Sequence, residues 1–266
     1  MSEDRSGRLG KQIHKLVHHM VNALSPNGGA CTYCRAALRG SSATANPLKL
    51  CKACFERIPW IREIHCMACG RYEACYDCRR RENAALLRNR SAVQYNAIMK
   101  DWLSLFKYRG DEGLLLLFAS MLMHAYHKLL ESEGMVNTRF DVITFVPLSD
   151  ERLMERGFNQ AELLARELGR SVGIPVVGLL KRLRHTHKQS FKGRSERLED
   201  LNGAFGVNVE GIQGFVAETA TATPNRPLHI LLIDDVYTTG STLNQCAAEI
   251  RKHLPTAEVY GLTWAR

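Results

Sequence analysis

Eight of the nine cysteines stand in four C-x2-C pairs: Cys31/Cys34, Cys51/Cys54, Cys66/Cys69 and Cys75/Cys78. Two thiolates three residues apart share one tight turn and form one edge of a tetrahedral metal site. A second such turn closes the site, because Zn2+ takes four soft ligands and asks nothing more of the geometry. The first two pairs read C-x2-C-x16-C-x2-C, within the zinc-ribbon range, and the second two read C-x2-C-x5-C-x2-C, tight but workable. Gly70, directly after Cys69, suits a turn that needs positive φ. Two structural zinc sites are therefore expected, with crossed pairings of the four knuckles still open. His65, beside Cys66, is an imaginable substitute ligand, but eight thiolates already fill two sites. The competing reading is a disulfide framework, which belongs to secreted chains. The opening Met1-Ser2-Glu3-Asp4 carries no apolar signal region, so reduced cysteines and a cytoplasmic location are expected. Cys246 stands alone and reads as a small buried helix residue.

The remaining composition is that of a globular chain: 266 residues, 45% hydrophobic, net charge +9. The longest uncharged apolar run, Leu114 to Met123, falls short of the ~18 residues that cross a bilayer, so no integral membrane association is expected. Residues 1–30 hold an amphipathic helix with Leu9, Ile13, Leu16, Val17, Met20, Val21 and Leu24 at helical spacing. Its apolar face suits packing on the rest of the chain, a membrane surface or a partner. Residues 31–88 form the double zinc-ribbon-like module, and residues 89–266 a third region. There, short apolar runs at 90–95, 142–146, 174–177, 230–233 and 259–264 alternate with helical patterns at 96–108, 113–131, 159–172 and 243–254. Such alternation predicts an α/β fold with a mostly parallel sheet flanked by helices. Residues 181–205 are polar and weakly patterned, and a permissive stretch continues to Pro227.

The most informative segment runs Ile230-Leu-Leu-Ile-Asp-Asp-Val-Tyr-Thr-Thr-Gly-Ser-Thr242. A buried strand delivers Asp234 and Asp235 to its carboxyl end, and a hydroxyl-rich loop with Gly240 then opens a helix. Amides at a helix N-terminus hold a phosphate without a lysine. Two carboxylates beside that phosphate suit sugar hydroxyls or a hydrated Mg2+. The loop is not a Walker A motif, which requires Gly-Lys-Ser/Thr.

This segment resembles the signature by which type I phosphoribosyltransferases bind 5-phosphoribosyl-1-diphosphate (PRPP). Four further features narrow the resemblance to the ComF family: the cysteine pairs, Phe106-Lys-Tyr-Arg-Gly-Asp111, Val146-Pro-Leu-Ser-Asp-Glu-Arg152 running into Arg156-Gly-Phe-Asn-Gln160, and Lys188-Gln-Ser190 with Arg194 and Arg197. Together these motifs span residues 31–266 in order.

The resemblance implies a type I phosphoribosyltransferase-like sheet domain and a PRPP site over Asp234, Asp235, Val236, Tyr237, Thr238, Thr239, Gly240, Ser241 and Thr242. The two aspartates would meet ribose hydroxyls and the loop would cradle the 5-phosphate. Pro147, Leu148 and Ser149 take the place of the diphosphate loop, with Arg152 and Arg156 offering charge-assisted hydrogen bonds to its oxygens. Lys188, Arg194 and Arg197 match a covering lid. Mg2+ would accompany PRPP. Lys107 and Arg109 lie in a family motif whose role the residues do not reveal, and no catalytic base or nucleophile stands out. The implied function is phosphoribosyl transfer to an unidentified acceptor, linked to natural competence, incoming single-stranded DNA and other competence proteins. The alternatives are a non-catalytic PRPP-sensing or DNA-binding module and a nucleotide-salvage enzyme. Residues 181–197 carry seven Lys/Arg against one Glu, a net +6, which suits a nucleic-acid backbone or the diphosphate equally. Phe191 is the only aromatic there for base stacking.

Overall fold

The computed structural model describes residues 29–38, 47–79, 84–109, 112–132, 140–183, 203–219 and 226–266. The expected helix over residues 1–30 lies outside them apart from its last two positions, and the lid residues Lys188, Arg194 and Arg197 lie outside entirely. The chain divides into two compact units, Met1–Arg57 and Ile58–Arg266.

In the first unit a turn at residues 31–35 is stitched to the segment before Cys51: Thr32 N–H donates to Lys49 O at 2.9 Å. Helix α1 (Lys52–Glu56) is capped by Cys51 and carries Cys54, so the second knuckle is built on its first turn. Among the described residues of this unit Cys31, Leu38, Leu48, Leu50 and Cys54 are buried, a small core of the kind a bound metal reinforces.

The second unit is built on a four-stranded, fully parallel sheet. Its strands are β1 (Leu86–Val93), β2 (Val142–Phe145), β5 (His229–Val236) and β6 (Glu258–Ala265), in the order β1-β6-β5-β2. A separate antiparallel pair joins β3 (Leu180–Arg182) to β4 (Phe205–Val207). Ile230 to Ile233 are wholly buried, as an apolar strand covered on both faces requires; each such side chain contributes about 1.5–3 kcal/mol of transfer free energy. Alternate residues of β6 serve different layers. Trp264 stacks on Phe118 of helix α4 (Glu112–Ser132) at 4.2 Å, while at Gly261 an added Cβ would meet Leu243 of helix α8 (Ser241–His253). The helices α3 (Ala97–Arg109), α5 (Asp150–Arg156), α6 (Gln160–Val172) and α7 (Val209–Thr219), with the single-turn α2 (Tyr76–Arg79), are the other helices among the described residues of this unit.

Several boundaries differ from the sequence expectation. The first strand begins at Leu86 rather than at residue 90. The apolar run at 174–177 forms only one parallel bridge, Val176 to Ile143, because Pro175 has no N–H to extend the ladder. The weakly patterned stretch from residue 181 to Pro227 holds the end of β3, then β4 and the whole of α7. Residues 113–132 of α4 are long and apolar enough to cross a membrane by length and composition, more than the ten-residue run suggested. Half of that stretch is buried, and it packs on β1, β6 and α6 as a core helix. Cys246 is fully buried in α8, as expected.

Candidate functional site

Each cysteine quartet closes on itself. The ligand atoms of Cys31, Cys34, Cys51 and Cys54 lie within 4.8 Å of one another, and so do those of Cys66, Cys69, Cys75 and Cys78. Sequential pairs therefore share a site, which removes the crossed arrangements, and His65 belongs to neither quartet. Gly70 has φ +72°, and a Cβ there would strike Asn89 O. Burial opposes charge on Cys31, but backbone N–H groups of Cys51, Cys34 and Tyr33 outweigh it and hold the thiol at about 7. Cys75 is held at about 7 in the same way, chiefly by the N–H of Cys78. Burial, helped by the Cys66 and Cys75 sulfurs and opposed by a hydrogen bond with Cys69, pushes Cys78 up to about 11. Four converging sulfurs, with amides supporting negative charge and mutual repulsion awaiting a cation, fit a tetrahedral soft-metal site. Each quartet could hold a metal ion.

The second quartet is anchored to the sheet. Asn89 N–H of β1 donates to Ala68 O at 2.8 Å, and the buried Arg90 donates from Nη1 to Met67 O at 2.9 Å while Nη2 meets Ser132 Oγ at 2.8 Å. Cys69 and Cys75 belong to the same apolar core as Leu86, Ile230, Leu243 and Cys246.

The other site is a cleft of about 320 Å3 at the carboxyl ends of β2 and β5. These strands are neighbours in register, Phe145 opposite Ile233, so the segments leaving them emerge side by side. Ligands of open parallel sheets bind at this edge. From β5 come Asp234 and Asp235, followed by Val236, Thr238 and Thr242 in the cleft wall. From β2 come Val146, Pro147 and Leu148. Ser149 is the N-cap of α5, and that helix carries Arg152 and Arg156 to the rim. Gly157, at φ +77°, turns the chain back so that Asn159 caps α6: its Oδ1 accepts from Ala161 N–H, and its Nδ2 donates to Val146 O at 3.0 Å. Arg156 is braced by Gln160 Oε1 at 2.9 Å.

The loop is set by its own residues. Gly240 has φ +77°, and a Cβ there would collide with the Tyr237 ring and hydroxyl. Thr239 Oγ1 and Ser241 Oγ are 2.8 Å apart. The first turn of α8 has no acidic residue and its last turn holds Arg251, Lys252 and His253, so the dipole is opposed at neither end and the N-terminus suits an anion. Tyr237, expected among the binding residues, is buried behind the loop, and Thr239, Gly240 and Ser241 shape the loop without lining the cleft.

Tyr95, Lys107, Asn159, Gln160 and Ala161 line the cleft without a role in the sequence reading, and Arg182 joins them from the basic stretch that suited a nucleic-acid backbone or the diphosphate. Lys107 Nζ lies 2.6 Å from Asp235 Oδ2. Burial works against the Asp235 charge, but the Lys107 ammonium outweighs it and holds the carboxyl below the usual carboxylate range. Burial, then the neighbouring Asp235 charge, pushes Asp234 up to about 8. Burial and the nearby Arg152 depress Arg182, whose guanidinium stands 4.6 Å over Phe205. The cleft thus holds three arginines and a lysine against one firmly ionised carboxylate, a field made for a polyanion.

A parallel α/β sheet with an acid pair and hydroxyl loop at its carboxyl edge, joined to paired four-cysteine knuckles, defines the class of protein. The chain is similar to Competence protein ComFC of Bacillus subtilis (strain 168), 34% identical over 230 residues, covering 82% of this chain and 84% of that one. It is also similar to Competence protein ComFC of Streptococcus pneumoniae, 33% identical over 201 residues (74% and 78%), and to DNA utilization protein YhgH of Salmonella typhi, 32% identical over 124 residues (46% and 48%). No family model matches the chain. At that identity and coverage the chain belongs to the ComF family.

Proposed function

We propose that this ComF-family protein binds PRPP in the cleft at the ends of β2 and β5 and transfers its phosphoribosyl group to an acceptor during the handling of incoming DNA. The observation that carries the reading is the convergence of Asp234 and Asp235 with the Thr238–Thr242 loop inside a wall of Arg152, Arg156, Arg182 and Lys107. An acid pair accepts from vicinal ribose hydroxyls, amides and hydroxyls at the start of α8 take the 5-phosphate, and the arginines face the diphosphate. Breaking the anomeric C–O bond builds negative charge on the departing diphosphate, and preplaced guanidinium groups stabilise it. Burial and the adjacent Asp235 charge raise the proton affinity of Asp234, and a Mg2+ accompanying PRPP would offset that repulsion. When bound, that ion would neutralise diphosphate charge. The two quartets are proposed as structural zinc sites.

The names of the relatives, competence and DNA utilization, support the biological setting. Single-stranded DNA and other competence proteins are proposed partners on that ground. A PRPP sensor without turnover is the second reading, favoured by the Lys107–Asp235 ion pair, which ties one member of the acid pair to the protein itself. Diphosphate release from PRPP, followed with bases, amines and single-stranded DNA as acceptors, separates the readings. Release with an acceptor supports transfer; saturable binding without release supports sensing; neither binding nor release rejects both.

A further inference from the structure

Lys107 meets the acid pair directly. Its Nζ lies 2.6 Å from Asp235 Oδ2, and both residues line the cleft. The lysine is carried there by a fixed turn of α3. Phe106, the residue before it, is buried. Its ring stands 5.0 Å from that of Phe118 in α4 and 6.0 Å from that of Phe158, in the turn between α5 and α6. The last turn of α3 is thereby locked to the same core that sets Arg156 and Gln160 on the opposite rim, and Lys107 is held at the carboxyl end of β5.

An ammonium carries three N–H donors and no acceptor. One of them serves Asp235, which leaves two for oxygens of a molecule in the cleft, and the lysine side chain keeps 22% of its surface open there. A carboxylate, a compact cation and a ligand oxygen in that sequence is how proteins commonly hold Mg2+ against a phosphate-bearing ligand. A divalent ion on the same Oδ2, at about 2.1 Å, would stand beside the ammonium, and like charges so close repel strongly in a shielded site. Lysine suits the substitution, because its charge is concentrated on one small group at the end of a flexible stem. Asp234 is held by other means, with Oδ1 accepting from Asp235 N–H at 2.8 Å.

We propose that Lys107 is a built-in cation at Asp235, standing where a divalent ion would otherwise bridge that carboxylate to the ligand. The identity of the ligand rests on the PRPP reading. A Mg2+ carried on the oxygens of PRPP is compatible with this role of Lys107; a Mg2+ held by Asp235 in the wild-type protein is not.

The test uses full-length, zinc-loaded protein as wild type, Lys107→Met, Lys107→Arg and Lys107→Met with Asp235→Asn. Mn2+, a paramagnetic stand-in for Mg2+, is counted by electron paramagnetic resonance without PRPP, and PRPP affinity is measured by calorimetry across a Mg2+ series. Lys107→Met is expected to bind one Mn2+ more per chain than wild type, and adding Asp235→Asn is expected to abolish the gain. Its PRPP affinity is expected to fall about tenfold at low Mg2+ and to recover most of the loss as Mg2+ rises, with wild type changing less over the same series. Lys107→Arg keeps the charge and is expected to follow wild type in both measurements. Equal Mn2+ counts in wild type and Lys107→Met overturn the proposal, as does a PRPP deficit that Mg2+ leaves unrepaired. A gain of Mn2+ that survives Asp235→Asn also overturns it, since the new ion then sits elsewhere. If Lys107→Met does not fold, Lys107→Gln takes its place with the same expectations. If wild type binds no PRPP at any Mg2+ concentration, the PRPP reading fails and the Mn2+ counts alone decide the role of Lys107.

Discussion

Lys107 Nζ and Asp235 Oδ2 stand 2.6 Å apart, and this ion pair joins helix α3 to the carboxyl end of β5. Both side chains are about four-fifths shielded from water, at 22% and 19% exposure, so the contact is screened far less than a surface pair. It keeps one carboxylate of the acid pair ionised while its neighbour, Asp234, is drawn toward the protonated form. The two adjacent aspartates thus enter ligand binding with different charge.

Replacing Lys107 removes both a cleft cation and the support of the Asp235 charge. Lys107→Met is expected to weaken PRPP binding at least tenfold, about 1.4 kcal/mol, whereas Lys107→Arg retains most of it. Calorimetric titration of both variants checks this; wild-type affinity in Lys107→Met removes the lysine from the site.

The acid pair also gives the unfolding free energy opposite pH signatures. Asp234 has a folded pKa raised from 3.8 to about 8, so the folded state holds a proton that the unfolded state has lost between those values. Stability from this group is full below about pH 4 and drains away as pH rises toward 8. Asp235, with its lowered pKa, acts the other way: its contribution is full above its unfolded value and is lost in acid. Subtracting the denaturation curves of Asp234→Asn from wild type is expected to leave a difference that falls from pH 4 to 8. A flat difference shows that Asp234 is ionised throughout.

Gly240 and Gly157 share φ +77° but differ in surroundings. A Cβ at Gly240 runs into Tyr237, while one at Gly157 meets nothing within 4 Å. Gly157→Ala is therefore expected to cost only the left-handed strain, about 1 kcal/mol. Gly240→Ala should cost more and should also displace the loop, with loss of PRPP affinity. Chemical denaturation and titration of both variants measure the contrast, and equal costs would show that the Tyr237 contact yields freely.

How far these features could be read from the chain depended on whether their cause was local. The cysteine quartets, the β5 strand, the acid pair and the glycine turn each declare themselves within a few adjacent residues. Lys107 does not, because a lysine on a helix looks the same whether it faces water or a carboxylate on a distant strand. The basic stretch holding Arg182 was legible but its place in the cleft wall was not, because the three-residue strands β3 and β4 are separated by too long a segment for any hairpin signal. Helix α7 was missed because Gly211 and Gly214 interrupt its pattern, yet Gly211 is there for packing, since a Cβ would strike Gly178 O. The loop itself was legible, but Tyr237 read as a ligand contact when its ring in fact supports the backbone from behind.

Metal removal should act on folding before it acts on chemistry. Among its described residues the unit Met1–Arg57 buries few apolar side chains besides its cysteines, and chelation is expected to unfold it at moderate temperature. Two zinc ions per chain are expected by elemental analysis, one per quartet. An unchanged melting curve after chelation, with no bound metal at the start, would refute structural zinc.

The most direct measurement is calorimetric titration of PRPP, with Mg2+, into the zinc-loaded protein and into the Asp234→Ala/Asp235→Ala double variant. Saturable one-site binding to wild type is expected, absent from the double variant, with zinc content the same in both. Equal binding by the two proteins, or none by either, contradicts a PRPP site at the end of β5.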